Sequence, residues 1–191
     1  MKVVAFNGSA RKDGNTSILV RAVFEPLEAA GVTTELVPLA GESVHGCRAC
    51  GWCGKNEGLR CRYDDDVVNE CIARMIDADG ILLASPTYFS DVTAEMKALI
   101  DRAGSVVRNG GFALRHKVGA GVVAVRRGGA IHTFDTLNHF FLINQMIVVG
   151  SRYWNDGIGH RRGEVSDDEE GLDTMRILGE NMGWLLERLA G

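Results

Sequence analysis

Proline is scarce in this sequence, with 3 residues in 191. Positive charge is not in surplus: Lys plus Arg is 21 and Asp plus Glu is 25, a formal net charge of −4. That balance argues against nucleic acid or an anionic membrane as a partner. No apolar run approaches the roughly 18 residues that a membrane span needs. The start, Met1 to Phe6, is too short for a signal-peptide core and runs straight into a glycine loop, so a cytoplasmic location is expected. Cysteine is present in an odd number, 5, which rules out complete internal disulfide pairing. In a reducing compartment, clustered cysteines point to metal binding or redox chemistry. What the chain has in excess is glycine: 24 of 191, about 13% against an average near 7%. Many glycines with few prolines indicate tight turns and close backbone approaches, not a linker. An apolar fraction of 46% with 24% charged residues is ordinary globular composition, and the length fits one domain over residues 1–191.

Apolar runs alternate with helix-period segments. Strands are expected at Lys2 to Phe6, Thr33 to Leu39, Gly80 to Ser85, Val118 to Val125 and Gln145 to Val149. Helices are expected at Thr16 to Ala30, Asp66 to Ala78, Asp91 to Ala103, Ala130 to Ile143 and Ser166 to Leu189. Pro26 should kink the first helix or end it early. Ser166 and Glu169 have capping-box spacing at the start of the last. Five βα units with near-continuous apolar strands make a parallel, doubly wound α/β sheet with helices on both faces. Such sheets bind ligands outside the carboxyl ends of their strands. The loops to watch are therefore 7–16, 40–65, 86–91, 126–130 and 151–165.

The first of these, Asn7 to Thr16, has two glycines, the hydroxyl or amide donors Ser9, Asn15 and Thr16, and the charge of Arg11. A helix N-terminus follows, with free N–H groups and the positive end of its dipole. This is a phosphate cradle. It lacks the spacing of G-x-G-x-x-G. It also misses G-x-x-x-x-G-K-[ST] by one residue, with Asn15 where the lysine should stand, so a triphosphate is disfavoured and a monophosphate fits. The plain alternative is a capped βα turn with Asn15 or Thr16 as N-cap.

Cys47, Cys50, Cys53 and Cys61 read C-x₂-C-x₂-C-x₇-C, with Gly46, Gly51 and Gly54 helping the turn. Four thiolates at this spacing suit a cubane cluster or tetrahedral zinc. Two successive x₂ gaps favour iron–sulfur, since zinc ribbons use two separated C-x₂-C pairs. Free thiols at a subunit contact, or a redox-switch pair, stay open as alternatives. Cys71 lies on an apolar helix face with Val68, Ile72 and Met75 and reads as structural. Trp52 reads as local cover for the cysteine loop, with packing on a flavin or another subunit as its alternative. The acidic run Asp64 to Asp66 reads as a solvated N-cap region.

Gly8-Ser9-Ala10-Arg11 with Gly14-Asn15-Thr16 resembles the phosphate loop of the flavodoxin-like NADPH-dependent FMN reductases. Ser85-Pro86-Thr87-Tyr88-Phe89 resembles that family's flavin loop. Cys47 to Cys61, within a cysteine-rich insert at 46–62, resembles the compact motif of its iron–sulfur flavoproteins. The resemblance implies a flavodoxin-like sheet of five parallel strands in the order 2-1-3-4-5. It implies FMN held by Ser9, Arg11, Gly14, Asn15, Thr16, Pro86, Thr87, Tyr88 and Phe89, with the last four supplying a wall and backbone N–H groups near flavin N5 and O4. It further implies pyrimidine contacts at Arg126, Arg127, Gly128 and Gly129. Arg126 or Arg127 is a candidate for the phosphate of NADPH, against a reading as surface arginines before a turn. Electrons would then pass from NAD(P)H through FMN to a small-molecule or protein acceptor, with no side chain acting as nucleophile or base. The alternatives are a carrier with a 4Fe-4S cluster on Cys47, Cys50, Cys53 and Cys61, linked to ferredoxin, or a flavin-free thiol redox sensor. Trp52, Tyr153 and Trp154, on the long loops 40–65 and 151–165, point to a homodimer or homotetramer. His160 in the second of these loops reads as a polar surface residue.

Overall fold

The computed structural model describes residues 1–55 and 58–191; residues 56 and 57 of the cysteine-rich segment 46–62 lie outside the described residues. The elements run β1 (Lys2–Asn7), α1 (Asn15–Ala29), β2 (Thr33–Pro38), α2 (Val68–Asp77), β3 (Gly80–Pro86), α3 (Ala94–Asn109), β4 (Val118–Val125), α4 (Ala130–Ile143), β5 (Ile147–Val148), β6 (Asp156–Ile158) and α5 (Glu169–Leu189). Short 3₁₀ turns occupy Trp52–Gly54 and Glu164–Asp167. The sheet order is β2-β1-β3-β4-β5, all neighbours parallel, as the sequence implies.

The alternation of side chains along each strand divides the core. Val3 and Ala5, Leu82 and Ala84, and Val118, Ala120, Val122 and Ala124 face α1 and α5. Val4 and Phe6, Ile81 and Leu83, and Val123 and Val125 face α2, α3 and α4. On that second face β4 carries Gly119 and Gly121. A Cβ at Gly119 would stand 2.6 Å from Phe141, and one at Gly121 3.2 Å from Leu137, so α4 packs close only because neither exists. Helix α2 buries Val68, Cys71, Ile72 and Met75, the four positions its period marks. Burial pushes the Cys71 thiol up to about 12, which makes it inert.

Three local expectations are corrected. Pro26 does not end α1, which continues to Ala29; its ring lies over Gly179 of α5, 2.6 Å from where a Cβ would stand, in a space a side chain would fill. Helix α3 begins at Ala94, not Asp91, because Thr93 is its N-cap, accepting from Met96 N, while Asp91 pairs with Tyr88 in a tight turn. Helix α5 begins at Glu169, because the Asp168 side chain caps Gly171 N and the residues before it form a separate 3₁₀ turn. The fifth strand lies where expected, with β5 beside Val118 and Gly119, but the loop after it holds one strand more: β6 pairs beside Val123 to Val125 and leaves a break between the two. Buried Asn155 fills the break, donating from Nδ2 to Gly121 O at 3.1 Å and accepting from Val123 N at 2.9 Å through its own carbonyl. Among the described residues no helix is long and apolar enough to cross a membrane.

Candidate functional site

At the carboxyl ends of β1, β3 and β4 the chain leaves a cleft of about 160 Å³. Its floor is the β1–α1 loop, with Ser9, Arg11, Gly14, Asn15 and Thr16. Helix α1 opens on Gly14 without a side-chain cap and with no acidic residue in its first turn. Contrast α3 and α5, whose caps Thr93 and Asp168 consume first-turn N–H groups. The first amides of α1 are thus left for an anion, with the helix dipole behind them. The loop is wired from beneath. Asn7 donates to Ser17 Oγ at 2.9 Å and accepts from Ser9 N at 2.9 Å. Ser17 Oγ donates to Lys12 O. Ser9 Oγ accepts from Arg11 N at 3.1 Å, which leaves its own hydroxyl hydrogen to give. Asn7 and Ser17 are buried and went unmarked in the sequence, because what identifies them is a contact across the loop.

One wall is Pro86, Thr87 and Tyr88; the other holds Ala124, Arg126, Gly159 and His160. Thr87 N donates to Ala124 O at 2.8 Å, and Tyr88 N to Asp91 O at 2.8 Å. These two backbone donors are therefore engaged within the protein. Phe89 and Ser90 form the tip of the turn at φ 48° and 62°, in the left-handed region, and Phe89 is fully exposed. The tip rests on Gly129, where a Cβ would come within 2.7 Å of Ser90 Oγ. So Ser9, Arg11, Gly14, Asn15, Thr16, Pro86, Thr87, Tyr88 and Arg126 are brought together. Phe89, Arg127, Gly128 and Gly129 stand outside the cleft lining.

The Asn15 side chain ties the cleft together. Nδ2 donates to Gly159 O and Arg161 O, both at 3.0 Å, and Oδ1 accepts from Gly163 N at 2.8 Å. Arg162 Nε adds a bond to Asp13 O at 2.8 Å. The N–H groups of His160 and Arg161 converge on Glu164 and hold its carboxyl below the usual range. The 159–163 segment is thus latched to the β1–α1 loop, and this places His160 and Gly159 at the cleft.

A second cavity of about 190 Å³ lies on the flank of α3, with Cys47, Cys50, Cys53 and Cys61 all in its wall. The ends of the cysteine segment are held firmly. Asn69 accepts from Cys61 N at 2.7 Å and donates to Cys61 O and Tyr63 O, each at 3.1 Å. Arg102 of α3, 2% exposed, binds Asp66 and the carbonyls of His45 and Tyr63. Asp66 is therefore not the solvated residue its acidic run suggests: its side chain is 0% exposed and ion-paired. Burial opposes the charge on Arg102, and Asp66 with the nearby Cys61 sulfur more than offsets this, so its pKa is raised. Arg102 Nε is buried without a partner among the described residues, and Asn109 Nδ2 lies 3.6 Å from Cys53 Sγ. Four sulfurs around one cavity, with donors ready for them, fit an iron–sulfur cluster. The two sites are separate: α3 starts at the cleft, where Thr93 binds Gly8 O, and Arg102 stands roughly 13 Å further along the helix axis at 1.5 Å per residue.

The family model of NADPH-dependent FMN reductase matches residues 1–161. An iron–sulfur flavoprotein of Methanocaldococcus jannaschii is 41% identical over 189 residues, covering 95% of each chain. An iron–sulfur flavoprotein of Methanosarcina thermophila is 34% identical, covering 98% of this chain and 96% of its own. In structure, an NAD(P)H:quinone oxidoreductase from Methanothermobacter marburgensis superposes with a TM-score of 0.71 at 17% identity, covering 95% of this chain and 96% of its own. The cleft, the parallel sheet that builds it and the match over residues 1–161 place the chain in the NADPH-dependent FMN reductase family.

Proposed function

We propose that this chain is an FMN-dependent oxidoreductase that takes electrons from NAD(P)H and delivers them to a second acceptor, small molecule or protein. The observation that carries the reading is the uncapped start of α1 in a cleft that also holds Ser9 and Arg11. FMN supplies the exchange between two-electron and one-electron chemistry. The chain's own part is binding and orientation. The α1 amides and the Ser9 hydroxyl receive the phosphate, and Arg11 adds charge. Pro86, Thr87 and Tyr88 wall the cleft and keep water from one side. Arg126 in the cleft lining supports a role in attracting the phosphate of NADPH through a charge-assisted contact.

A second reading is favoured by the cysteine cavity: Cys47, Cys50, Cys53 and Cys61 hold a 4Fe-4S cluster that exchanges single electrons with a protein such as ferredoxin. The relatives named iron–sulfur flavoproteins support it. Exposed Tyr88, Phe89, Tyr153 and Trp154 support a homodimer or homotetramer in which a second copy covers this apolar surface. Anaerobic Cys50→Ser decides between the readings. Loss of iron and of ferredoxin-linked reduction, with NAD(P)H oxidation intact, supports both sites in their assigned roles. Iron-free wild type with unchanged rates removes the cluster and leaves the flavin enzyme. Loss of both electron routes would show that the cysteine loop supports the cleft, and the division of labour would be wrong.

A further inference from the structure

Arg102 is a costly residue to place where it is. A guanidinium cannot shed its charge, and here it is 2% exposed. Most of it is accounted for: Nη1 serves Asp66 and His45 O, and Nη2 serves Tyr63 O at 2.9 Å. His45 lies just before Cys47 and Tyr63 just after Cys61, so these bonds clamp the base of the cysteine segment. They do not account for Nε, which is buried with no partner among the described residues. A buried donor left unsatisfied is destabilising, more so when it belongs to a charged group, so a donor left open here points to an acceptor in the working protein. Arg102 lines the cavity walled by the four cysteines, and the Cys61 sulfur is close enough to bear on its charge.

The geometry points to Arg102 as the residue that sets the potential of the cysteine site, through an Nε–H hydrogen bond to a sulfur of the loaded cluster. This rests on the cluster reading above. Reduction adds one negative charge, and a positive donor at the sulfurs favours the reduced form. Asn109, 3.6 Å from Cys53 Sγ, is a neutral donor from the same helix face and should act in the same direction more weakly.

The test is Arg102→Lys in the loaded, full-length protein, assayed for iron and sulfide and titrated anaerobically by EPR. Lysine keeps the charge that Asp66 needs and deletes Nε. The expected result is unchanged iron with about a tenfold lower reduced-to-oxidised ratio at fixed ambient potential, 59 mV for a one-electron couple, while the FMN couple stays in place. A ratio within twofold of wild type overturns the proposal, as does an equal shift of the FMN couple. Absence of iron and sulfide from the wild type would overturn the cluster reading itself, an outcome the assay separates from the others. If Arg102→Lys does not load, wild-type protein labelled with ¹⁵N-arginine decides. A ¹⁵N hyperfine coupling to the reduced cluster that survives Arg48→Lys and Arg62→Lys supports Arg102; no such coupling overturns it.

Discussion

Asn15→Ala should weaken the protein before any cofactor is added. The side chain makes three bonds, to Gly159 O, Arg161 O and Gly163 N, all within one segment. A hydrogen bond contributes about 0.5–1.5 kcal/mol net. The bond to Arg161 is exposed and sits at the low end, while the other two are partly buried. The sum is about 2 kcal/mol. With a urea slope of about 2 kcal/mol/M for a chain of this size, the midpoint of FMN-free protein should fall by about 1 M. Asn15→Asp should be worse, because it keeps the acceptor for Gly163 N but turns a carboxylate toward two carbonyls and toward any bound phosphate. Because the latch also places Gly159 and His160 in the cleft wall, FMN and riboflavin should both bind Asn15→Ala more weakly. An FMN-free urea midpoint within 0.2 M of wild type, combined with a loss of FMN affinity that spares riboflavin, would refute this. The amide would then be a direct phosphate ligand, with the latch opening on binding.

Ser9→Ala should behave differently. It removes one charge-assisted bond of about 1.5–3 kcal/mol, raising the FMN Kd roughly 10–150-fold by fluorescence titration while riboflavin binds as to wild type. Asp66→Asn leaves Arg102 buried without its counter-charge and should cost about 3–5 kcal/mol in urea unfolding. Hydrogen bonds and Arg102 hold the Asp66 pKa below its ordinary value against the effect of burial, so the stability this group contributes is present above the unfolded pKa near 3.9 and lost as pH falls. Asp156 has the opposite sign: burial, then the charge of Asp168, raises its pKa, so its contribution is favourable at low pH and is lost as pH rises through the folded value. Asp156→Asn should therefore raise Tm at pH 7 and lose that advantage as pH falls to about 4 and below; the same gain at both pH values would mean that charge is not the cause.

The parts of the fold readable from the chain are those set by period and punctuation. Strand alternation marks both core faces, and the 3.6 period of α2 names its four buried residues. The β1–α1 side of the cleft is readable because Ser9, Arg11, Gly14, Asn15 and Thr16 lie close together in the chain. What escapes is set by partners remote in sequence. Asp66 reads as solvated because nothing near it shows that Arg102, 36 residues on, will bury it. Asn15 reads as a phosphate ligand because its partners lie 144 to 148 residues away. The short strand β6 escapes for the same reason: Asp156–Ile158 sits in a glycine-rich loop, and its partner strand β4 lies more than 30 residues back.

The break that Asn155 fills has a consequence for how this architecture can change. Because Asn155 closes the gap beside β4, residues 150–154 answer to no ladder position, and their number is not dictated by the sheet. Lengthening a loop is cheap, about 0.6 kcal/mol for each doubling. Insertions here would leave the cleft lining untouched while remodelling the aromatic surface around Tyr153 and Trp154. A descendant of this chain could acquire a new neighbour, or lose an old one, by editing a few codons in a segment that pairs with no strand.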